Sequence, residues 1–495
     1  MRLSESRAFW VLALCTAAAA GFRLLSLGFY NDDYVILATL ERAGSTGLIR
    51  AFHAGFASFA ARPLDLLYYP ALFRVFGLHP WPYHIFADLL VLATAWNLYR
   101  LLRELEVAPP TALLAALLAA LYPNHDATRN WLGGTIAACA LAGTVFSMRF
   151  YARWLKSGSL RELLVSLAAL IASALLYEAP VLLPLGLILV NARPLRRHVP
   201  LLAAIAAVLL YQRILSWLAI GPERHGLSLD PVHAFKVMTA GFECTFFNRL
   251  VHLVGRSISF AWADFSPGEI SLLLLSCLSL FVFCRRLLRA DPGAPPKMLL
   301  WLGLGFFVLG YAPYAFAARF GYVPAMFSES NRLNLQASLG GALIFAWCCA
   351  RWRASGVPAA LLLSAFLLAT WSSNAQWTRA YSLQQEILGA VGPHLGRTAP
   401  KHLLIFGFPN NVGSATVFQS TYDFDGALYL RYRRPDLRGL VGEGRVRFEE
   451  DSAVLRWYGE TPVPYDALYA YRHSDGMFRQ IRDRQDGEAF LASAR

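Results

Sequence analysis

Ala8-Phe-Trp-Val-Leu-Ala-Leu-Cys-Thr-Ala-Ala-Ala-Ala-Gly21 starts an apolar run that continues to Gly28, and Gly28-Phe-Tyr-Asn-Asp-Asp-Tyr34 closes it with two carboxylates. At ~1.5 Å per residue the run is long enough to cross a ~30 Å hydrocarbon core. Charges at the depth where such a run leaves the membrane are costly unless they have a use, so Asp32 and Asp33 are the first candidate functional residues.

Further apolar runs follow at roughly 84–102, 110–122, 132–150, 162–177, 179–192, 199–220, 269–284, 298–317, 336–350 and 357–372, which predicts about eleven transmembrane helices. Arg and Lys gather in every second connection, at Arg2 and Arg7, Arg100 and Arg103, Arg149, Arg153 and Lys156, Arg193, Arg196 and Arg197, Arg285, Arg286, Arg289 and Lys297, and Arg351 and Arg353. Such clusters mark cytoplasmic loops, so the amino terminus is expected inside. The net charge of +13 is then an orientation signal, spread over loops instead of forming one stripe, and no nucleic-acid partner is expected.

Residues 160–191 read either as one long helix or as two short ones broken at Glu178-Ala-Pro180. One crossing would put Arg193, Arg196 and Arg197 outside and reverse every later loop, so the charge bias favours two. With eleven crossings, residues 373–495 lie outside the cytoplasm. Turn residues become frequent there, and His402-Leu-Leu-Ile-Phe-Gly407 and Leu428-Tyr-Leu-Arg-Tyr432 have the look of strands, giving a soluble α/β domain after a membrane module of residues 1–372. Of the seven cysteines only Cys244 is expected in a loop, so neither a disulfide framework nor zinc spacing is present. The first run is expected to be kept as a signal anchor, since cleavage after its small residues would strand the apolar tail behind them.

Five outward segments carry the polar residues. The first, 30–83, is long and amphipathic, with Leu37, Leu40, Leu48, Phe52, Phe56 and Phe59 at near-helical intervals that suggest helices lying on the outer membrane face, and contains Arg62-Pro63-Leu64. The second, Tyr122-Pro-Asn-His-Asp-Ala-Thr-Arg-Asn-Trp131, holds His125 and Asp126; the third is Glu178. The fourth, a long loop of about 221–268, holds Glu223, Arg224, His225, Asp230, Glu243 and Asp264. The fifth is Phe327-Ser-Glu-Ser-Asn-Arg-Leu-Asn334, with Asn331 and Arg332.

An acid pair after the first helix, Arg62-Pro63-Leu64 with Phe76-Gly77 and His84, Tyr122-Pro123 with Asp126 three residues on, Glu178 with Pro180 and Pro184, and Arg332 before the tenth helix together resemble the GT-C superfamily of membrane glycosyltransferases. The order is most similar to its protein O-mannosyltransferase branch and the bacterial O-mannosyltransferases that carry tetratricopeptide repeats. The chain departs from them in having Asp126 where Glu is usual, Tyr177 where Lys is common before Glu178, and Asn331 where Glu commonly precedes the arginine.

The resemblance implies a mainly α fold, a polytopic membrane bundle of GT-C type with a small extracytoplasmic α/β domain at the carboxyl end. It implies transfer of a sugar from a polyprenyl-phosphate donor to a glycan, lipid or protein acceptor on the outer face of the cytoplasmic membrane, amid membrane lipid. An inverting displacement needs one general base, expected at Asp32 with Asp33 tuning or orienting; the bland alternative for either is helix capping. Arg332, and less directly Arg62, would grip the donor phosphate, or else anchor a helix end and a turn. His125, Asp126, Glu178 and Asn331 are expected along the cavity, with Asp126 alternatively capping a helix and Glu178 holding a basic partner. No cofactor is required; some relatives use a divalent metal at the first-loop acid, but adjacent aspartates alone are not a metal site. The rival reading is a transporter or flippase of lipid-linked saccharides, whose paired, broken helices in two inverted halves do not show in this sequence.

Overall fold

The computed structural model describes residues 4–44, 62–191, 193–220, 230–289, 294–317, 321–352, 356–396, 400–442, 446–455 and 461–492. Leu48, Phe52, Phe56 and Phe59 of the first loop, and Glu223, Arg224 and His225 of the fourth, lie outside these residues.

The chain is mainly helical, and each apolar run folds as helix. Among the described residues, seven stretches are long and apolar enough to cross a membrane: Pro80–Glu104, Leu132–Ser157, Leu195–Leu215, Pro267–Arg289, Lys297–Ala315, Ser328–Arg351 and Val357–Leu395. That is the architecture of a multi-pass membrane protein. The remaining apolar helices are shorter: Glu5–Ala20, Pro109–Leu121 and Leu160–Leu176 have 16, 13 and 17 residues. Pro109–Leu121 is sheathed by neighbours along nearly its whole length, as a core helix is. Prolines at the first turn of Pro80–Glu104, Pro109–Leu121 and Pro231–Phe246 fix φ where no intrahelical N–H bond is lost.

The chain breaks at Tyr177 and Glu178, between Leu160–Leu176 and the 3-10 turn Ala179–Leu182, so two short pieces do replace one long helix here. The fourth outward segment differs from expectation. Instead of a long loop it forms two helices, Pro231–Phe246 and Asn248–Asp264. Asp230 caps the first by accepting the Val232 N–H at 2.9 Å.

A small α/β region ends the chain. His402–Phe406 is a strand, as its sequence suggests, and runs parallel to both Arg438–Val441 and Leu468–Arg472; Met477–Gln480 joins antiparallel at the edge. A separate antiparallel sheet holds Val446–Phe448, Ser452–Leu455 and Thr461–Pro464, and Asn411–Val412 pairs with Ala415–Thr416 in a short hairpin. Residues 428–432 are not a strand. They end the helix Thr421–Tyr432, which a capping box of Ser420 and Asp423 starts. Its buried Phe424, Ala427 and Leu428 repeat at helical spacing, and that period overrides the alternation read across Leu428, Leu430 and Tyr432.

The expected boundary between residues 372 and 373 falls inside the 39-residue helix Val357–Leu395. One apolar core joins Tyr30, Tyr34, Trp131 and Trp377 to Leu388, Leu403, Phe424 and Leu428, so the α/β region packs directly onto the segments that carry the candidate site.

Candidate functional site

The aspartate pair sits on a tightly held turn. Gly28 lies against the Tyr381 ring, with no room for a Cβ. Its N–H donates to the Tyr30 hydroxyl at 3.1 Å, and that hydroxyl donates to the Trp377 carbonyl at 2.8 Å. His84 Nε2 lies 2.9 Å from the Gly28 carbonyl. Asn31 then takes φ of 47°, a left-handed conformation that asparagine tolerates, and turns the chain into the helix Asp33–Ala43.

The two carboxylates do different things. Asp33 is fully buried and accepts three backbone N–H groups: Tyr30 at 3.0 Å, Leu132 at 3.2 Å and Gly133 at 2.9 Å. The last two are the first donors of the helix Leu132–Ser157, so Asp33 caps a helix about a hundred residues away. Burial pushes its carboxyl up to about 8 against the pull of those donors. Asp32 makes no capping bond and is exposed to solvent. Its carboxyl is nevertheless raised, first by the protein packed around it, with Arg332 pulling down and Glu329 pushing up. The charges of Arg332 and Glu329 act on this exposed carboxylate, and the surface they share with Asp32 is called the recess.

Arg332 lies across that recess on the 3-10 turn Ser328–Asn334, its guanidinium 5.1 Å from the centre of the Trp131 ring and its Nε buried without a hydrogen-bond partner. Among the described residues no carboxylate comes within ion-pair distance of it. With three residues per turn, the 3-10 helix puts Glu329 on the same side as Arg332. Glu329 was not singled out from the sequence; the i, i+3 spacing to Arg332 points to it once the turn type is known.

Arg62 is occupied. Its Nε and Nη2 bind the two oxygens of Glu178 at 2.7 and 2.5 Å, and the guanidinium stacks 4.6 Å over the Tyr177 ring. Glu178 therefore holds a basic partner. Asp65 lies beside this pair, and burial raises its carboxyl to about 7 although Arg62 draws it down.

Asp126 is a buried junction. It accepts from Trp377 Nε1 at 2.7 Å and Ser414 Oγ at 2.6 Å, and also from the Ser373 hydroxyl and the Asn331 amide. The Asn331 carboxamide oxygen accepts the Ala127 N–H at 3.1 Å. Asp126 and Asn331, both expected along the cavity, thus tie the second outward turn to the fifth, to the last bundle helix and to the α/β region. Neither caps its own helix. His125 is buried 3.1 Å from the Thr128 hydroxyl, and burial with the nearby Arg129 charge drives its pKa down to about 3, which keeps it neutral.

The α/β region reaches the recess at two points. Gly426 packs so closely that a Cβ would stand 2.5 Å from the Tyr34 carbonyl carbon, and the Tyr34 hydroxyl donates to Gln384 at 2.8 Å. Ser328, at the start of the Arg332 turn, donates its N–H to the Ser414 carbonyl at 2.9 Å and sits 2.7 Å from the Thr416 hydroxyl. Both halves of the recess are therefore held by the same domain.

No family model matches this chain, and no curated protein matches it. Among the described residues no three His, Cys, Asp or Glu side chains gather as a metal site requires. Among the described residues the charges that act on Asp32 include both the Arg332 guanidinium and the Glu329 carboxylate.

Proposed function

We propose that the chain is an integral-membrane glycosyltransferase of GT-C type, moving a sugar from a polyprenyl-phosphate donor to an acceptor at the outer face of the cytoplasmic membrane. The alternation of basic loops supports that orientation, with the amino terminus inside and the α/β domain outside. The order of motifs from Asp32 to Arg332 supports the class. The observation that carries the reading is the accessible, uncapped Asp32 facing Arg332, whose guanidinium has no ion-paired carboxylate among the described residues.

In this reaction an acceptor hydroxyl attacks the anomeric carbon as the bond from that carbon to the phosphate oxygen breaks. Asp32 takes the hydroxyl proton, and the bonding electrons leave with the lipid phosphate. Enclosure strengthens Asp32 as a base by raising its pKa toward working pH. Arg332 offers a planar fork to the phosphate oxygens as their charge grows. Arg62, engaged with Glu178, shapes the wall of the recess, and Asp33 holds the turn.

The test is incubation of purified membranes with radiolabelled polyprenyl-phosphate sugars, identifying which cellular polymer takes up label. Transfer by the wild type and its loss in Asp32→Asn is the expected result. Label that crosses the bilayer still attached to its lipid, equally in both proteins, would establish a flippase instead.

A further inference from the structure

The helix Asn248–Asp264 is packed on one side only. At about 100° per residue its circumference divides into three sectors. Leu250, Ser257 and Ala261 are buried against the protein. Val251, Ile258 and Trp262 form a second sector, exposed by 67%, 56% and 85%. His252, Arg256 and Ser259 form a third, also exposed but polar. A helix bathed only in water has polar residues over its whole free surface. Two unlike free sectors fit a boundary between two media.

The chain runs from this helix into an exposed apolar surface. Three residues after Asp264 the chain enters Pro267–Arg289, a membrane-crossing stretch that exposes Leu272, Leu274, Leu275 and Leu278. The ion pair of Asp264 with Arg379, at 2.9 Å, ties the junction to the last bundle helix. At the other end, Arg249 donates to the Pro324 carbonyl at 3.0 Å, and Arg256 lies 5.4 Å over the Phe327 ring. The helix is thereby clipped to the segment that leads into the Arg332 turn.

We propose that Asn248–Asp264 is a membrane-interface helix, seated in the leaflet at the recess end of the bundle with Val251, Ile258 and Trp262 among the acyl chains and His252, Arg256 and Ser259 toward water. Its partner is the lipid surface itself. The indole of Trp262 suits the headgroup boundary, where its ring is apolar and its N–H stays wet. Through the contacts to Pro324 and Phe327, the height of this helix in the leaflet is linked to that of the Arg332 turn.

The experiment uses the full chain in lipid nanodiscs, without native cysteines, carrying one spin label at position 251, 252, 258, 259 or 262. Collision with oxygen should dominate at 251, 258 and 262 and collision with an aqueous nickel chelate at 252 and 259. With native cysteines intact, quenching of tryptophan fluorescence by brominated lipid should fall in Trp262→Phe. Nickel reaching all five positions, with bromolipid quenching unchanged in Trp262→Phe, overturns the proposal. Shielding of 251, 258 and 262 from both reagents also overturns it, by placing another protein on that face. Neither readout depends on glycosyl transfer.

Discussion

Replacing each of two adjacent aspartates by asparagine should separate two different losses. Asp32→Asn removes no hydrogen bond that holds the fold, so thermal stability should stay at the wild-type value while transfer falls by roughly 10²–10⁴-fold. Asp33→Asn turns an amide NH₂ toward backbone donors that need an acceptor. It should cost about 1–3 kcal/mol of stability, read as a lower unfolding temperature in lipid nanodiscs. The pH profile offers a third readout. As base, Asp32 works deprotonated, and its raised pKa puts the acid limb of activity above the ~4 of an ordinary aspartate. Glu329 is one of the charges raising it, so Glu329→Gln should carry that limb to lower pH and preserve activity in acid; an unmoved limb would remove Asp32 from the base role. Arg332→Ala should weaken use of the donor by roughly ten- to a hundredfold, with Arg332→Lys only partly restoring it. At this scale the sequence singled out Asp32, Arg332, Asp126 and Glu178, which the structure places at helix ends and turns. It favoured Asp32 as the base but did not show the capping role of Asp33, because the donors that claim Asp33 come from Leu132 and Gly133, and nothing local in Asn31-Asp-Asp-Tyr34 records them.

Between elements, two helices meet backbone to backbone at Gly426 and Tyr34. Gly426→Ala must push Thr421–Tyr432 away from Asp33–Ala43 or distort one of them, at about 1–3 kcal/mol, and should lower transfer by moving Asp32 even in molecules that stay folded. The Asp126 junction makes a sharper case. Asp126→Ala leaves buried donors on Asn331, Ser373, Trp377 and Ser414 without their acceptor, so it should cost about 3 kcal/mol or more and loosen residues 411–416, seen as faster amide exchange there. A protein that kept wild-type stability and exchange would refute the junction. Element types were legible where a single period dominated, as in the long apolar helices and His402–Phe406. They were misread where two periods fit one short stretch, at 428–432, and where amphipathic helices between crossings read as loop, at 231–264. A sequence window has no view of which face another element will cover.

For the molecule as a whole, the orientation is open to direct measurement. With native cysteines removed, a cysteine at 401 should react with an impermeant thiol reagent applied outside intact cells, and one at 286 only after the membrane is opened. The reverse pattern would turn the protein over and put the recess in the cytoplasm. Most of the polytopic plan was readable because lipid demands long uncharged segments and tolerates few exceptions. How the carboxyl-terminal domain engages the bundle was not, since it depends on junctions such as Ser328 with Ser414 that span long stretches of chain.

The helix Val357–Leu395 has a mechanical consequence. Its 39 residues extend about 58 Å at 1.5 Å each, well beyond a ~30 Å hydrocarbon core. One part is bolted into the bundle by Trp371, Asn374 and Trp377, and the other is embedded in the α/β domain by Gln384, Leu388 and Val391. Between the anchors Trp377 and Gln384 the helix is unbroken, so it couples the domain to the bundle. Swinging the domain clear like a hatch would mean unwinding a turn and exposing its backbone groups. Approach to Asp32 from the side, with the domain left in place, is the route that needs no unwinding.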